Sequence, residues 1–235
     1  AINSHQPLDG PVAWYEAHLH SEEGWNILGG LFPGGAMIFH GVNENLGWAH
    51  TVNFPDLLDL YQLDINPKNE DQYQVDGEWL ELEEETVWLR VKLWDLITIP
   101  FPKKIWKSIY GPTLDTEQGT FSIRLGALER IGAPEQWWRM NKAKNFTEFY
   151  KAISLQGLSM FNIMYADKND TIFYINNALM PIRNGDAKYD WKKTLPGNTS
   201  KTLWTQFHGI KELPQYVNPN SGFLFNTNHS SFYAT

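Results

Sequence analysis

Residues 41–61 read Gly-Val-Asn-Glu-Asn-Leu-Gly-Trp-Ala-His-Thr-Val-Asn-Phe-Pro-Asp-Leu-Leu-Asp-Leu-Tyr. Trp48, His50, Val52 and Phe54 alternate, which predicts a short strand carrying these four side chains on one face. Pro55 lacks a ladder donor and ends that strand. Asp56 and Asp59 then fall in a turn or loop after it. On the residues alone these acids read first as solvated turn caps. The other reading is an oxygen-rich set for a hard cation such as calcium.

Outward from this stretch the pattern is mostly strands. Trp14 to Leu19 alternates, and Asn26 to Leu31 is an apolar run closed by Phe-Pro-Gly-Gly. Ala36 to Phe39 is a further strand candidate, with a turn at 41–43. Leu60 to Asp64, Thr86 to Leu93, Phe121 to Leu125 and Phe223 to Phe225 read as strands. Asp76-Gly77 marks a hairpin, and Asp167 to Asp170 joins another pair at 161–166 and 171–175. Asn145 and Glu148 cap a helix carrying Phe149, Ala152, Ile153 and Leu155. Lys103, Lys104 and Lys107 read as a short solvated face. No repeat or linker interrupts residues 1–235, so the prediction is one α+β domain.

Composition narrows the function. The formal net charge is −8, which argues against a nucleic-acid footprint. No run of 18 apolar residues is present, so no membrane span is expected. The chain has no cysteine, so thiolate catalysis, disulfides and cysteine zinc sites are excluded. The histidines show no HExxH spacing, and GxSxG, GxGxxG and P-loop motifs are missing. Most of the 11 tryptophans are expected in the core, and sugar or acyl binding is the alternative for them. Asn226 and Asn228 lie on one side of the last strand end. They serve either as ordinary turn residues or as donors aimed at a developing oxyanion.

The ordered segments HQPLDGPVAWYEAHL, GLFPGGAMIFHGVNENLGWAHT, DLLDLY, YGPTLD, FNIMYADKNDTIFY, MPIRNG, LPG and NPNSGFLFNTN carry a resemblance. Together they resemble the β-chain of the penicillin acylase family of N-terminal-nucleophile hydrolases, from Ile2 to Asn228. The resemblance implies a four-layer αββα sandwich of mainly antiparallel sheets, incomplete in this chain. It implies a precursor that cuts itself to expose a Ser, whose α-amine serves as base. Val52 would supply a backbone N–H and Asn228 a side chain to the oxyanion. His5 falls where relatives cleaving long acyl chains or lactone amides carry a His. Asp56, Asp59, the Leu58 carbonyl and the Pro181 carbonyl align with calcium ligands. Trp25, Met37, Phe39 and Phe54 are candidates for acyl-pocket lining, with core packing as the alternative.

Two departures set the remaining expectations. Ala1 offers no nucleophile, and the amine of Ser4 is tied up in a peptide bond. The chain also stops at Thr235, ahead of a further calcium carboxylate and an Arg that the family carries. The expectation is an internal fragment of an exported, periplasmic amidase, inactive alone and lacking its α-chain partner. The substrate would be a small acyl amide, such as a penicillin or an acyl-homoserine lactone. A non-catalytic scaffold or binding domain is the rival reading, and a sugar-binding module a third.

Overall fold

The computed structural model describes residues 2, 5–93, 96–128, 130–183 and 188–235. Ala1, Ser4 and the end of the MPIRNG segment lie outside the described residues. In chain order the strands are β1 (Tyr15–Ser21), β2 (Trp25–Leu31), β3 (His40–Val42), β4 (Leu46–Thr51), β5 (Leu58–Gln62), β6 (Ile65–Asn66), β7 (Asn69–Val75), β8 (Glu78–Glu81), β9 (Glu83–Leu93), β10 (Ile97–Ser108), β11 (Gly111–Thr116) and β12 (Gly119–Leu125). Helices α1 (Ala133–Lys142) and α2 (Phe146–Ile153) follow, then β13 (Asn162–Asp167), β14 (Ile172–Asn176), β15 (Leu195–Pro196) and β16 (Gln215–Val217). The described strands are almost all antiparallel, as an α+β fold requires; β15 on β5 is the parallel pair.

The chain divides into two compact units. The first comprises Ala1–Asp56, Glu129–Met180 and Phe207–Thr235. Its sheet runs β1-β2-β3-β4-β13-β14-β16. One face is covered by α1 and α2, and Ile27, Trp48, Ile163, Phe173, Met140 and Phe149 are buried there. Period-two alternation sends Leu46, Trp48 and His50 of β4 towards this core. Asn145 caps α2 as expected, its Oδ1 accepting the Glu148 N–H at 2.9 Å. Helix α1 escapes the sequence reading, although Pro134 opens it and Arg139 and Lys142 lie in its last turn.

The second unit comprises Leu57–Leu128 and Pro181–Gln206. It holds the sheet β15-β5-β12-β11-β10-β9 and the smaller sheet β6-β7-β8. Tyr61, Tyr73, Tyr110 and Leu195 form its core. The lysine segment at 103–107 belongs to β10, a twelve-residue strand that Pro100 and Pro102 concealed. Two residues apart, both prolines turn their nitrogens to the same side. That side is open, because β10 pairs with β11 only from Trp106 onward.

Four sequence expectations need correction. The chain leaves the ladder at Thr51, so Val52 and Phe54 are exposed while Asn53 is buried. The cause is Asn53, whose Nδ2 donates to the Asn177 carbonyl at 2.8 Å and whose Oδ1 accepts the Phe161 N–H at 2.8 Å. Asp59 lies inside β5 rather than in a loop. Residues 36–39 form bends, because the Asn141 carboxamide takes both the N–H and the carbonyl of Ile38 as a strand would; β3 begins at His40. Residues 223–225 form no strand, and the Phe225 N–H donates to the Ala234 carbonyl instead.

Candidate active site

The sheet face turned away from the helices carries a row of polar residues. Strand register sets Thr51 of β4 opposite Asn162 of β13, and Asn162 opposite Asn176 of β14. Asn162 is buried, and its Nδ2 has three acceptors in reach: Thr51 Oγ1 at 3.0 Å, the Val52 carbonyl at 3.1 Å and Asn226 Oδ1 at 3.1 Å. Thr51 Oγ1 donates to the same Asn226 oxygen at 2.6 Å. That oxygen also accepts the Asn228 N–H at 2.9 Å. One carboxamide thus ties the backbone at Val52 to the turn bearing Asn228. On its other side, Asn162 Oδ1 accepts the hydroxyl of the fully buried Tyr174 at 2.7 Å. Burial pushes that phenol up to about 12.

The two residues assigned to the oxyanion are therefore held by one network. Val52 is exposed between two anchored neighbours, Thr51 and Asn53. Asn228 is exposed and sits at φ +67°, a left-handed conformation that asparagine tolerates. Phe161 sits at φ +111° beside Asn53, a strained state for a bulky residue that the Asn53 bond to its N–H helps hold.

Beneath the row lie two histidines. The His50 N–H donates to His40 Nδ1 at 2.9 Å, and Trp137 Nε1 donates to His50 Nε2 at 3.2 Å. Each ring is thereby fixed as an acceptor and kept neutral. Burial lowers His40 to about 4; burial, then His40, lowers His50 to about 3.

The other predicted residues are not gathered here. His5 lies on exposed chain ahead of β1. Trp25 packs against the helical core and Phe39 stacks on Trp137 at 4.3 Å. Met37 is half-buried in the bend, and Phe54 is 83% exposed. None of these four lines the open cavity of about 1150 Å³, which is formed by Leu28, Val42, Ala49 and Met164 on the same sheet face as Asn162. Asp56 and Leu58 are exposed, whereas Asp59 and Pro181 are buried. Sequence reading missed Asn162, Thr51 and Tyr174; their in-register placement on adjacent strands was the signal, and it appears only once the strands are paired.

A family model described as penicillin amidase matches residues 1–235, the full chain. The chain belongs to the penicillin amidase family. Among its relatives is the acyl-homoserine lactone acylase PvdQ of Pseudomonas fluorescens, 27% identical over 99% of this chain and 33% of that protein. The penicillin G acylase of Escherichia coli is 27% identical over 94% of this chain and 25% of its own length. The solved structure of a thermostable penicillin G acylase from Alcaligenes faecalis superposes with a TM-score of 0.79 at 26% identity, over 93% of this chain and 39% of that one. This family member thus spans about a third of the length of PvdQ, and it shares the N-terminal-nucleophile hydrolase fold of the superposed acylase.

Proposed function

We propose that this chain is part of an amidase that cleaves a linear acyl amide, with the Val52 N–H and the Asn228 carboxamide receiving the oxyanion. The observation that carries the reading is the Asn162–Asn226–Thr51 network, which holds the backbone at Val52 and the turn at Asn228 together. The nucleophile is a serine outside this chain whose own α-amine takes the hydroxyl proton. The serine oxygen attacks the amide carbonyl, and negative charge grows on the carbonyl oxygen. Donors fixed in advance stabilise that charge without reorganising. The proton passes to the departing amine, and water then hydrolyses the acyl ester. The names of the relatives support penicillins or acyl-homoserine lactones as the substrate class. His5 serves near the nucleophile, and Phe54, exposed two residues from Val52, lines the acyl pocket together with an α-chain of the same precursor, while Trp25, Met37 and Phe39 take the core-packing alternative. The working compartment is the periplasm, a reading that rests on the family resemblance.

The test is hydrolysis by the full-length protein. Asn228→Ala lowers kcat by about 10²–10³ with KM little changed. A full-length protein that turns over no acyl amide supports the scaffold reading, and an Asn228→Ala enzyme with normal kcat removes Asn228 from the oxyanion site.

A further inference from the structure

Asp59 is a buried carboxylate near the start of β5, and such a group needs a resident positive partner. Arg183 supplies one. Its Nε donates to Asp59 Oδ2 at 3.0 Å and its Nη2 to Oδ1 at 3.1 Å, the two-pronged geometry that suits a planar guanidinium. Trp204 Nε1 adds a third donor to Oδ2 at 2.6 Å. A second guanidinium stands close by. Arg124 lies directly opposite Asp59 in the β5–β12 register, donates to the Trp204 carbonyl at 2.8 Å and stacks 4.5 Å from the Trp204 ring.

This environment does not fit the calcium ion that the family resemblance assigns to Asp59. Calcium takes six to eight oxygen ligands at about 2.3–2.6 Å. Both Asp59 oxygens already accept N–H donors. An added divalent ion would bring two more positive charges beside the Arg183 and Arg124 guanidinium groups. Among the described residues, no group of three or more His, Cys, Asp or Glu is placed to hold a metal.

We propose that Arg183 is the resident cation of Asp59, and that this position takes no divalent metal. The bridge then fastens β5 to the segment that carries Arg183 and Trp204, and it does so at any calcium concentration. The position is thus a fixed ionic clasp, insensitive to chelators.

The experiment is thermal unfolding of the full-length protein, stripped with EDTA and then measured with and without millimolar calcium chloride. The expected result is the same Tm in both. The double variant Asp59→Asn/Arg183→Gln, which removes both charges, is run in parallel. A calcium-dependent rise in Tm that the double variant loses overturns the proposal, because it places a metal at this carboxylate. A rise that survives in the double variant locates calcium elsewhere and leaves the clasp standing. Arg183→Gln alone, which strands the carboxylate, lowers Tm by several degrees more than the double variant does, and an equal Tm for the two also overturns the proposal.

Discussion

Replacing Asn162 by leucine tests the site through both stability and rate. The substitution keeps approximate volume and removes every polar contact of the carboxamide. Thr51 and Asn226 keep their mutual bond at 2.6 Å, and Asn226 keeps the Asn228 N–H. The group left stranded is the Tyr174 hydroxyl, fully buried with Asn162 Oδ1 as its acceptor. An orphaned buried donor costs about 1–3 kcal/mol. Tyr174→Phe alone strands Asn162 Oδ1 at a similar cost. The double variant Asn162→Leu/Tyr174→Phe strands neither, so its loss is smaller than the sum of the single losses by about 1–2 kcal/mol. Rate behaves differently. On the proposed oxyanion assignment, Asn162 positions Val52 relative to Asn228, and a misplacement of about 1 Å costs on the order of 10²-fold in kcat. Tyr174→Phe does not restore that positioning, so kcat stays low in the double variant while stability recovers. Urea unfolding of the full-length protein and its hydrolysis kinetics measure the two quantities. Additive stability losses refute the hydrogen-bond account, and normal kcat in Asn162→Leu refutes the positioning role.

Two other outcomes follow from the same unit. His40 and His50 are held neutral in the fold, at about 4 and about 3, against an unfolded value of 6.5. The unfolded chain therefore takes up protons first as pH falls, so their contribution is complete above about 6.5 and is lost on descending towards 4 and then 3. The slope reaches about 1.4 kcal/mol per pH unit per histidine. His50→Gln, neutral at every pH, flattens unfolding free energy measured between about pH 5 and pH 6.5, above most of the carboxylate range; an unchanged slope refutes the assignment. Gly29→Ala destabilises by about 3 kcal/mol in denaturant titration, because a Cβ there would sit 2.0 Å from the His40 carbonyl oxygen and force β2 from β3. Wild-type stability in that variant would contradict the close strand approach.

The sequence made local devices legible and left long-range ones hidden. Asn145 with Glu148 is a capping signature complete within four residues, and α2 begins there. The alternation of Trp48 and His50 was equally local, and the two share one face of β4, the buried one. It failed at Val52 because Asn53 is pulled inward by Phe161 and Asn177, more than a hundred residues away. Similarly, Ile38 leaves the ladder because Asn141 substitutes for a neighbouring strand. β10 was obscured because prolines are penalised in strands, yet an open strand side accepts them.

Val52 and Asn228 were reached through an ordered set of motifs, a signal carried along the chain. Asn162 lies within FNIMYADKNDTIFY, one of the segments that carry the family resemblance, but the resemblance gives it no role, and locally it reads as the start of a strand. Its importance comes from register: β13 lies between β4 and β14, so an inward amide at its first residue meets Thr51 on one side and the Tyr174 hydroxyl on the other. A carboxamide suits this junction because it donates and accepts at once. A carboxylate there would have no donor for Asn226 Oδ1 or the Val52 carbonyl, and an apolar residue would leave Tyr174 stranded. Asn162→Asp therefore separates the two faces of the side chain: it keeps an acceptor for Tyr174 and loses the tie between Val52 and Asn226, so kcat falls further than stability does.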